Sequence, residues 1–360
     1  MRSAGGRKRA LITGIAGQDG SYLAELLVDK SYDVHGIVRR TSQVRRDTVD
    51  GVRERAHQKG SVFALHYANV TDPWSLARVL NEVRPDEIYN LASESHVAIS
   101  FDEPENSANV NGLGVLRLLE VQRHLLPSCR FFQASSADLF GAGSSSQSIG
   151  SASQPLVFNE SSPFLPNSPY AIAKQFAHSL VRCYRDIYGL HASSAILFNH
   201  ESPRRGKNFV SRKITSTLAA IRRGSGEVLR LGNLDACRDW GYAPDYVAAM
   251  WLMLQQDLAE DYVIASGEQH SVREFVECSA DVAGFSLVWE GVGVDERGVD
   301  RRSGNVIVQV DPRYFRPVDN SYRVGDAAKA AARLGWSPAV RFDELVRLMT
   351  EAEFQLDRSA

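Results

Sequence analysis

The chain has 360 residues, 44% hydrophobic and 23% charged, an ordinary globular composition on a chain too long for one simple core. Lys plus Arg number 41 against 43 Asp plus Glu, so no global basic field draws nucleic acid or a membrane surface, and any anion site must be local. The apolar stretch after the basic start is broken by Gly14, Gly17, Gln18 and Asp19, and no run of about 18 apolar residues occurs later, so neither a leader peptide nor a membrane span is expected.

In chain order, "RALITGI" is a short apolar run and "SYLAELLVDK" has helical spacing. "YDVHGIVRR" and "SVFALHYANV" read as second and third strands, and "SLARVLNEVR" as a helix. "DEIYNLAS" is a fourth strand, followed by a longer helix over "NGLGVLRLLEVQRHL". "CRFFQASS" is a fifth strand. "SPYAIAKQFAHSLVRCYRDIYG" is a helix with Pro169 near its start and Gly189 after its end. "HASSAILFN" is a sixth strand. This alternation predicts an α/β protein, a Rossmann-type doubly wound parallel sheet covered on both faces. After about residue 200 the alternation weakens. Segments rich in Arg, Asn, Asp and Trp there read as ligand-facing loops on a smaller α/β substrate-binding domain. The expected division is residues 1–198 for a dinucleotide and 199–360 mainly for a substrate, partly interleaved with the first.

Cys129, Cys183, Cys237 and Cys278 are far apart and form no CxxC pair. They read as reduced thiols in a cytoplasmic chain, with no metal site. Residues 141–154, "GAGSSSQSIGSASQ", read as a Ser/Gly-rich loop.

The turn "TGIAGQDG" follows the first strand and opens the first helix, with Gly14, Gly17 and Gly20 in a GxxGxxG pattern. Glycine lets backbone approach a pyrophosphate, and the helix N-terminus offers N–H groups and a positive dipole end. Gln18 and Asp19 lie in the same turn. The second strand ends in Arg39 and Arg40, where an NAD-binding chain usually carries an acid for the ribose 2′-OH. A guanidinium suits a 2′-phosphate, so NADP is favoured over NAD; the competing reading is a solvated basic loop. Asn69, at the third strand's end, can meet the adenine or cap the next helix, and Val70 follows it. The fourth and sixth strand ends, Leu91, Ala92, Ser93 and Leu197, together with His200 and Arg205, are assigned to the same cofactor.

Tyr170 and Lys174 are four apart and share a helix face. An ammonium beside a phenol is expected to lower its pKa, so that the phenolate can take a proton from a substrate alcohol. Ser136, at the end of the fifth strand, is placed to hydrogen-bond the same oxygen.

The set resembles the extended short-chain dehydrogenase/reductase family, which acts on nucleotide sugars, and within it the dehydratases of GDP-mannose. The resemblance runs over nearly the whole chain and is carried by "GQDGSYLAELL", by "RPDEIYNLAS" with "SHVA" and "SF" after it, by "LFNHESPRRGKNFVSRKI", by "LGNLDACRDWG" with "DYV" after it, by "VIASGE" with "HSVREFVE" after it and by "VDPRYFRP". It implies that Tyr170 takes the C4 hydroxyl proton while NADP takes the C4 hydride. A carboxylate then removes the C5 proton, water leaves from C6 and the hydride returns there. In the family that carboxylate is a glutamate, and it aligns with Asp138, one methylene shorter. The family has a threonine at Ser136, a serine at Ala137 and an uncharged residue at Glu94, so Glu94 is a second candidate acid or base. For the GDP-sugar the resemblance implies Asn199, Val210, Lys213, Leu231, Gly232, Asn233, Arg238, Arg316 and Asp319. It further implies a homo-oligomer, a dimer or tetramer built through the Arg39–Arg46 loop. The 141–154 loop, longer than the family's, is expected to border the sugar as a lid or as a surface insertion. Two other functions fit the residues: a GDP-sugar epimerase or variant lyase sharing the C4 oxidation, and a non-enzymatic NADP- and GDP-sugar-binding protein with an impaired base.

Overall fold

The computed structural model describes residues 6–40, 47–141, 156–314 and 323–355. β1 (Arg9–Thr13), α1 (Gln18–Asp29), β2 (Asp33–Val38), α2 (Asp47–Gln58), β3 (Phe63–Tyr67), α3 (Pro73–Val83) and β4 (Glu87–Asn90) come first. α2 was hidden in sequence by its charge: Val49, Val52 and Ala56 recur at helical spacing and are buried, while Arg, Glu and Asp cover the outer face. Two short helical turns, α4 (Ile99–Asp102) and α5 (Pro104–Ala108), and a π-helical stretch at Asn109–Leu113 lead into α6 (Gly114–Leu125). β5 (Arg130–Ala134), β6 (Leu156–Phe158), α7 (Pro169–Tyr188) and β7 (Ala192–Leu197) follow. α7 starts where Ser168 Oγ accepts from the Ala171 N–H and Pro169 occupies the first turn. It ends at Gly189, whose φ of 66° is left-handed.

The second half is more regular than its loop-like composition suggests. It contains β8 (Asn199–Glu201), α8 (Val210–Arg222), β9 (Leu229–Leu231), β10 (Cys237–Tyr242), α9 (Ala243–Met253), β11 (Tyr262–Ile264), β12 (Gln269–Ser271) and α10 (Val272–Val282). β13 (Leu287–Glu290), β14 (Arg297–Asp300), β15 (Val306–Val310), β16 (Arg323–Gly325), α11 (Ala328–Leu334) and α12 (Phe342–Gln355) complete it. Several of these strands are three residues long, too short for an alternating pattern to register.

Seven parallel strands form the main sheet in the order β3-β2-β1-β4-β5-β7-β11. The chain runs outward from β1 to β3 and then returns to β4 on the other side. The strand order therefore reverses between β1 and β4, and a crevice opens at the carboxyl ends there. Both faces are covered, which is why Leu11 and Ile12, Ile88 and Tyr89, and Phe131 and Phe132 are buried as adjacent pairs. Leu23 and Leu27 of α1 pack on one face with Tyr246 and Met250 of α9. Leu76 and Leu80 of α3, Leu118 of α6 and Val181 of α7 pack on the other.

The second half thus feeds back into the first: β11 extends the main sheet and α9 packs against α1. Its own core gathers Leu218, Trp240, Phe275, Val308 and Met349 from α8, β10, α10, β15 and α12. Smaller sheets are β12-β10-β8, β13-β14-β15-β9 and the parallel pair β16-β6, of which β8, β10 and β16 contribute residues to the crevice.

Candidate active site

The carboxyl ends of β1, β2, β4, β5 and β7 open into one cleft of about 1060 Å³. Gly14, with φ of +70°, makes the turn out of β1; a Cβ there would stand 3.0 Å from the Ala92 backbone nitrogen. A Cβ on Gly20 would stand 2.4 Å from Gly14 O and 2.6 Å from Ile15 Cα, so only glycine lets α1 lie this close to the turn. Beneath the turn, Thr13 Oγ1 donates to Asn90 Oδ1 (2.6 Å) and accepts from the Leu91 and Ala92 N–H groups. Asn90 Nδ2 continues the network to Gln133 Oε1 at 2.8 Å. These buried bonds fix three strand ends relative to one another.

Gln18 and Asp19 face the second half of the chain. Asp19 Oδ2 meets His200 Nε2 at 2.8 Å, and His200 Nδ1 lies 2.7 Å from Phe198 O. Burial works against both charges, but the pair outweighs it: the His200 imidazole is held above its usual value and the Asp19 carboxyl below its own. His200 also stacks on Tyr246, ring centroids 4.6 Å apart. Gln18 Nε2 donates to His200 O, and Ser202 Oγ donates to Gln18 Oε1. Gln18, Asp19 and His200 therefore brace the turn while they line the cleft.

At the end of β2, Arg39 lines the cleft, whereas Arg40 does not; its guanidinium sits over the Tyr67 ring at 5.8 Å. Asn69 does not cap α3. Its Oδ1 accepts from the Thr71 N–H, and Asp72 takes the capping position by accepting from the Trp74 N–H. Asn69, Val70, Leu91, Ala92 and Ser93 all line the cleft, with Glu94, Leu197, Asn199, Arg205, Val210 and Arg238. The backbone of Glu94 is clamped by Asn111, which accepts from its N–H and donates to its carbonyl. Arg205 pairs with Glu201 at 3.1 Å and covers the Phe209 ring at 3.7 Å.

Tyr170 and Lys174 come off the first turns of α7 into the same space, 7% and 3% exposed. Lys174 Nζ donates to Ala134 O at 2.9 Å and stands 5.7 Å from the Tyr170 ring centroid. Burial pushes the Lys174 ammonium down to about 8, with Asp19 pulling the other way. Burial and then the charge of Asp138 push the Tyr170 phenol well above its usual value. The counter-pull comes from a Ser136 hydrogen bond, Arg205 and a Ser93 hydrogen bond, while Lys174 Nζ is bonded to the strand end.

Ser136 Oγ accepts from the Asp138 N–H at 3.1 Å and so caps the short 3₁₀ turn Ala137–Phe140. Asp138 then meets a residue that no motif singles out: Arg323 Nη2 donates to its Oδ1 at 2.8 Å, and Arg323 Nη1 to Ala137 O at 2.9 Å.

Four of the expected substrate residues do not line this cleft. Leu231 is a β9 core residue beside Leu229 and Val310. Gly232 follows it, and Asn233 closes a local turn by accepting from the Asp235 N–H. Lys213 lies 4.2 Å above the Tyr314 ring. Arg316, Asp319, residues 41–46 of the basic loop and residues 142–155 lie outside the described residues.

A reversal point in a parallel sheet, a close-packed glycine turn and a Ser–Tyr–Lys group on the next strand end and helix mark a short-chain dehydrogenase/reductase of the extended kind. Solved structures share the whole fold. A dTDP-glucose 4,6-dehydratase from Streptomyces venezuelae, solved with NAD, has a TM-score of 0.76 at 25% identity over 98% of each chain. A UDP-glucose 4-epimerase from Thermotoga maritima has a TM-score of 0.76 at 23% identity, over 97% of this chain and 99% of its own, which speaks to fold alone. The sequence goes further: the chain belongs to the GDP-mannose 4,6-dehydratase family, whose model matches residues 11–349. A GDP-mannose 4,6-dehydratase of Vibrio cholerae is 48% identical over 97% of this chain and 95% of its own. The Homo sapiens GDP-mannose 4,6 dehydratase is 50% identical over 98% and 93%.

Proposed function

We propose that the chain catalyses NADP-dependent 4,6-dehydration of GDP-mannose, or of a close GDP-sugar, to the 4-keto-6-deoxy sugar. The observation that carries this reading is the convergence of Ser136, Asp138, Tyr170 and Lys174 on the cleft that the glycine turn opens. The dinucleotide fits on two counts: Gly14 and Gly20 clear the backbone for a pyrophosphate, and Arg39 offers a guanidinium where an NAD-binding chain carries an acid. Gln18, Asn69, Val70, Leu91–Ser93, Leu197, His200 and Arg205 complete that side of the cleft. Bound there, the cofactor would supply a hydride acceptor at C4 and a hydride donor at C6.

The protein's own work is proton movement and placement. Tyr170 takes the C4 hydroxyl proton, with Ser136 on the same oxygen and the Lys174 charge nearby. The ketone acidifies C5–H, and Asp138 takes that proton. Asp138 passes that proton to the C6 hydroxyl, which leaves as water as the C6–O bond breaks, and the proton held by Tyr170 goes to C5 as the returning hydride makes C6 a methyl group. Glu94, which also lines the cleft, is the second candidate acid or base. Asn199, Val210 and Arg238 hold the GDP-sugar, with Arg316 and Asp319 assigned there by resemblance. Residues 1–198 hold the cofactor and 199–360 mostly the sugar nucleotide.

Incubation of the purified protein with GDP-mannose and NADP is expected to give a product lighter by one water. An isobaric product would make the chain an epimerase, and no turnover would leave a binding protein. Asp138→Asn is expected to reduce NADP in a single turnover without releasing dehydrated product; unchanged dehydration moves the base to Glu94. Replacing NADP by NAD is expected to raise KM for the cofactor.

Four unpaired cysteines support a cytoplasmic location, and no described helix is long and apolar enough to cross a membrane. A homo-oligomer is supported by an exposed apolar ridge on α7, where Ile172, Phe176 and Ile187 recur at helical spacing. Light scattering on the eluted protein checks this: a monomer at working concentration refutes it.

A further inference from the structure

Resting on Asp138 as the C5 base, we propose that Arg323 is the positioning residue for that carboxylate. One guanidinium holds both the side chain and the backbone of the turn that carries the base. Nη2 bonds Asp138 Oδ1 at 2.8 Å and Nη1 bonds Ala137 O at 2.9 Å. The planar fork fixes the two acceptors relative to each other, which a lysine cannot do. With Ser136 Oγ on the Asp138 N–H, the turn is held from three sides. Oδ1 is engaged, and proton transfer requires only the other oxygen.

The strand that bears Arg323 is itself fixed. β16 pairs with β6 in the register Arg323↔Leu156, and the Gly325 N–H donates to the buried carboxylate of Asp239 at 3.1 Å. A Cβ on Gly325 would stand 2.3 Å from Ala265 Cβ and 2.7 Å from Phe198, so the strand lies hard against the end of β7. Asp239 also accepts from Ser266 N–H, Ser266 Oγ and Gly267 N–H. Arg323 therefore reaches the base from a rigid support. The aspartate is one methylene shorter than the glutamate of the family, and a displacement of about 1 Å at a reacting group costs roughly a hundredfold in rate. A clamped short acid meets that demand by fixation, where a longer acid would meet it by reach.

A surface ion pair of this kind would contribute little and would act on stability alone. A positioning role instead separates the two halves of the reaction. Arg323→Met is expected to lower product formation about 10- to 100-fold, while the burst of NADPH absorbance from C4 oxidation and the KM for GDP-mannose stay within about twofold. Exchange of C5–H with deuterated solvent is expected to fall with product formation. Arg323→Lys restores part of the rate, and Arg323→Gln serves as a second variant if the Met form does not fold. The double variant Arg323→Met with Asp138→Asn is expected to be no slower than Asp138→Asn alone, because the arginine has nothing left to place. Equal loss of oxidation and dehydration, an unchanged rate, a raised KM at unchanged kcat, or additive effects in the double variant would each overturn the proposal. If Asp138→Asn itself dehydrates normally, the assignment of the base has failed. If Asp138→Asn blocks dehydration and Arg323→Met does not slow it, only the role of Arg323 has failed.

Discussion

Gly20→Ala probes the dinucleotide cradle without touching a charge or a hydrogen bond. The new methyl would stand 2.4 Å from Gly14 O and 2.6 Å from Ile15 Cα, whereas real Cβ contacts do not fall below 3.0 Å. Both neighbours are backbone, so the N-terminus of α1 has to move by at least 0.6 Å, the difference between 2.4 and 3.0 Å. Such overpacking costs about 1–3 kcal/mol of stability. The shift also carries the first N–H groups of the helix away from the pyrophosphate. A roughly 10- to 100-fold loss of NADP affinity is expected, about 1.4–2.8 kcal/mol. NADPH fluorescence titration measures the affinity and a thermal melt the stability. Gly51→Ala is the control, since nothing lies within 4 Å of the added methyl and the residue sits inside α2; it is expected to stabilise by about 0.5–1 kcal/mol. If Gly20→Ala binds NADPH like the parent, the close approach of helix to turn is not what fits the site to the cofactor.

Two further expectations concern the groups that brace the site. His200 is raised above 6.5 by Asp19 and Asp19 is lowered below 3.8 by His200, in each case against burial. The His200 contribution is complete below pH 6.5 and is lost as pH rises through its higher folded value; the Asp19 contribution is complete above pH 3.8 and is lost as pH falls through its lower folded value. The pair therefore stabilises most between those limits, and Asp19→Asn should flatten the alkaline fall in melting temperature. An unchanged pH profile in Asp19→Asn would show the pair to be silent. Asp239→Asn turns an acceptor of four hydrogen bonds into a group with one acceptor oxygen and an NH₂, leaving buried N–H groups unpaired. A cost of about 2–5 kcal/mol is expected, seen as a melting temperature several degrees lower and as slowed dehydration because β16 carries Arg323. Retained stability would mean that β16 holds its place by packing alone.

The sequence disclosed those parts of the molecule whose physics is local. α1 and α7 carry helical periodicity with a glycine entry or a Ser–Pro entry and a Gly exit, and the strands buried on both faces are continuous apolar runs. The entry of Tyr170 and Lys174 into one cleft is legible for the same reason, because four residues of helix bring them together. α2 was obscured because charge on its outer face outweighs three small apolar residues on its inner one. β11 was missed because three residues cannot show a period, yet it completes the main sheet. Of the two roles Asn69 offered, the cap went to Asp72, since the acid three residues later is the better cap, and Asn69 stays in the lining of the cleft. Arg323 and Asp138 are 185 residues apart and meet only because β16 returns to the end of β5. No spacing rule reaches that far.

The near-neutral composition required any anion site to be built locally, and the cleft shows how. Lys174, Arg39, Arg205, Arg238 and Arg323 line it against Asp19, Glu94, Asp138 and Glu201. Three of those four acids already have cationic partners: Asp19 holds His200, Glu201 holds Arg205 and Asp138 holds Arg323. Pairing leaves the cleft able to receive a diphosphate and a 2′-phosphate although the chain as a whole is slightly acidic, with a formal charge of −2. It also bears on a conflict at Tyr170. A free carboxylate next to Tyr170 opposes the phenolate that oxidation at C4 requires, and Asp138 does push the phenol upward. Arg323, paired with the same carboxylate at 2.8 Å, partly neutralises that charge. The pull on the phenol itself comes from elsewhere, from Arg205 and from hydrogen bonds with Ser136 and Ser93, so carboxylate and tyrosine share one small site with separate cations beside them.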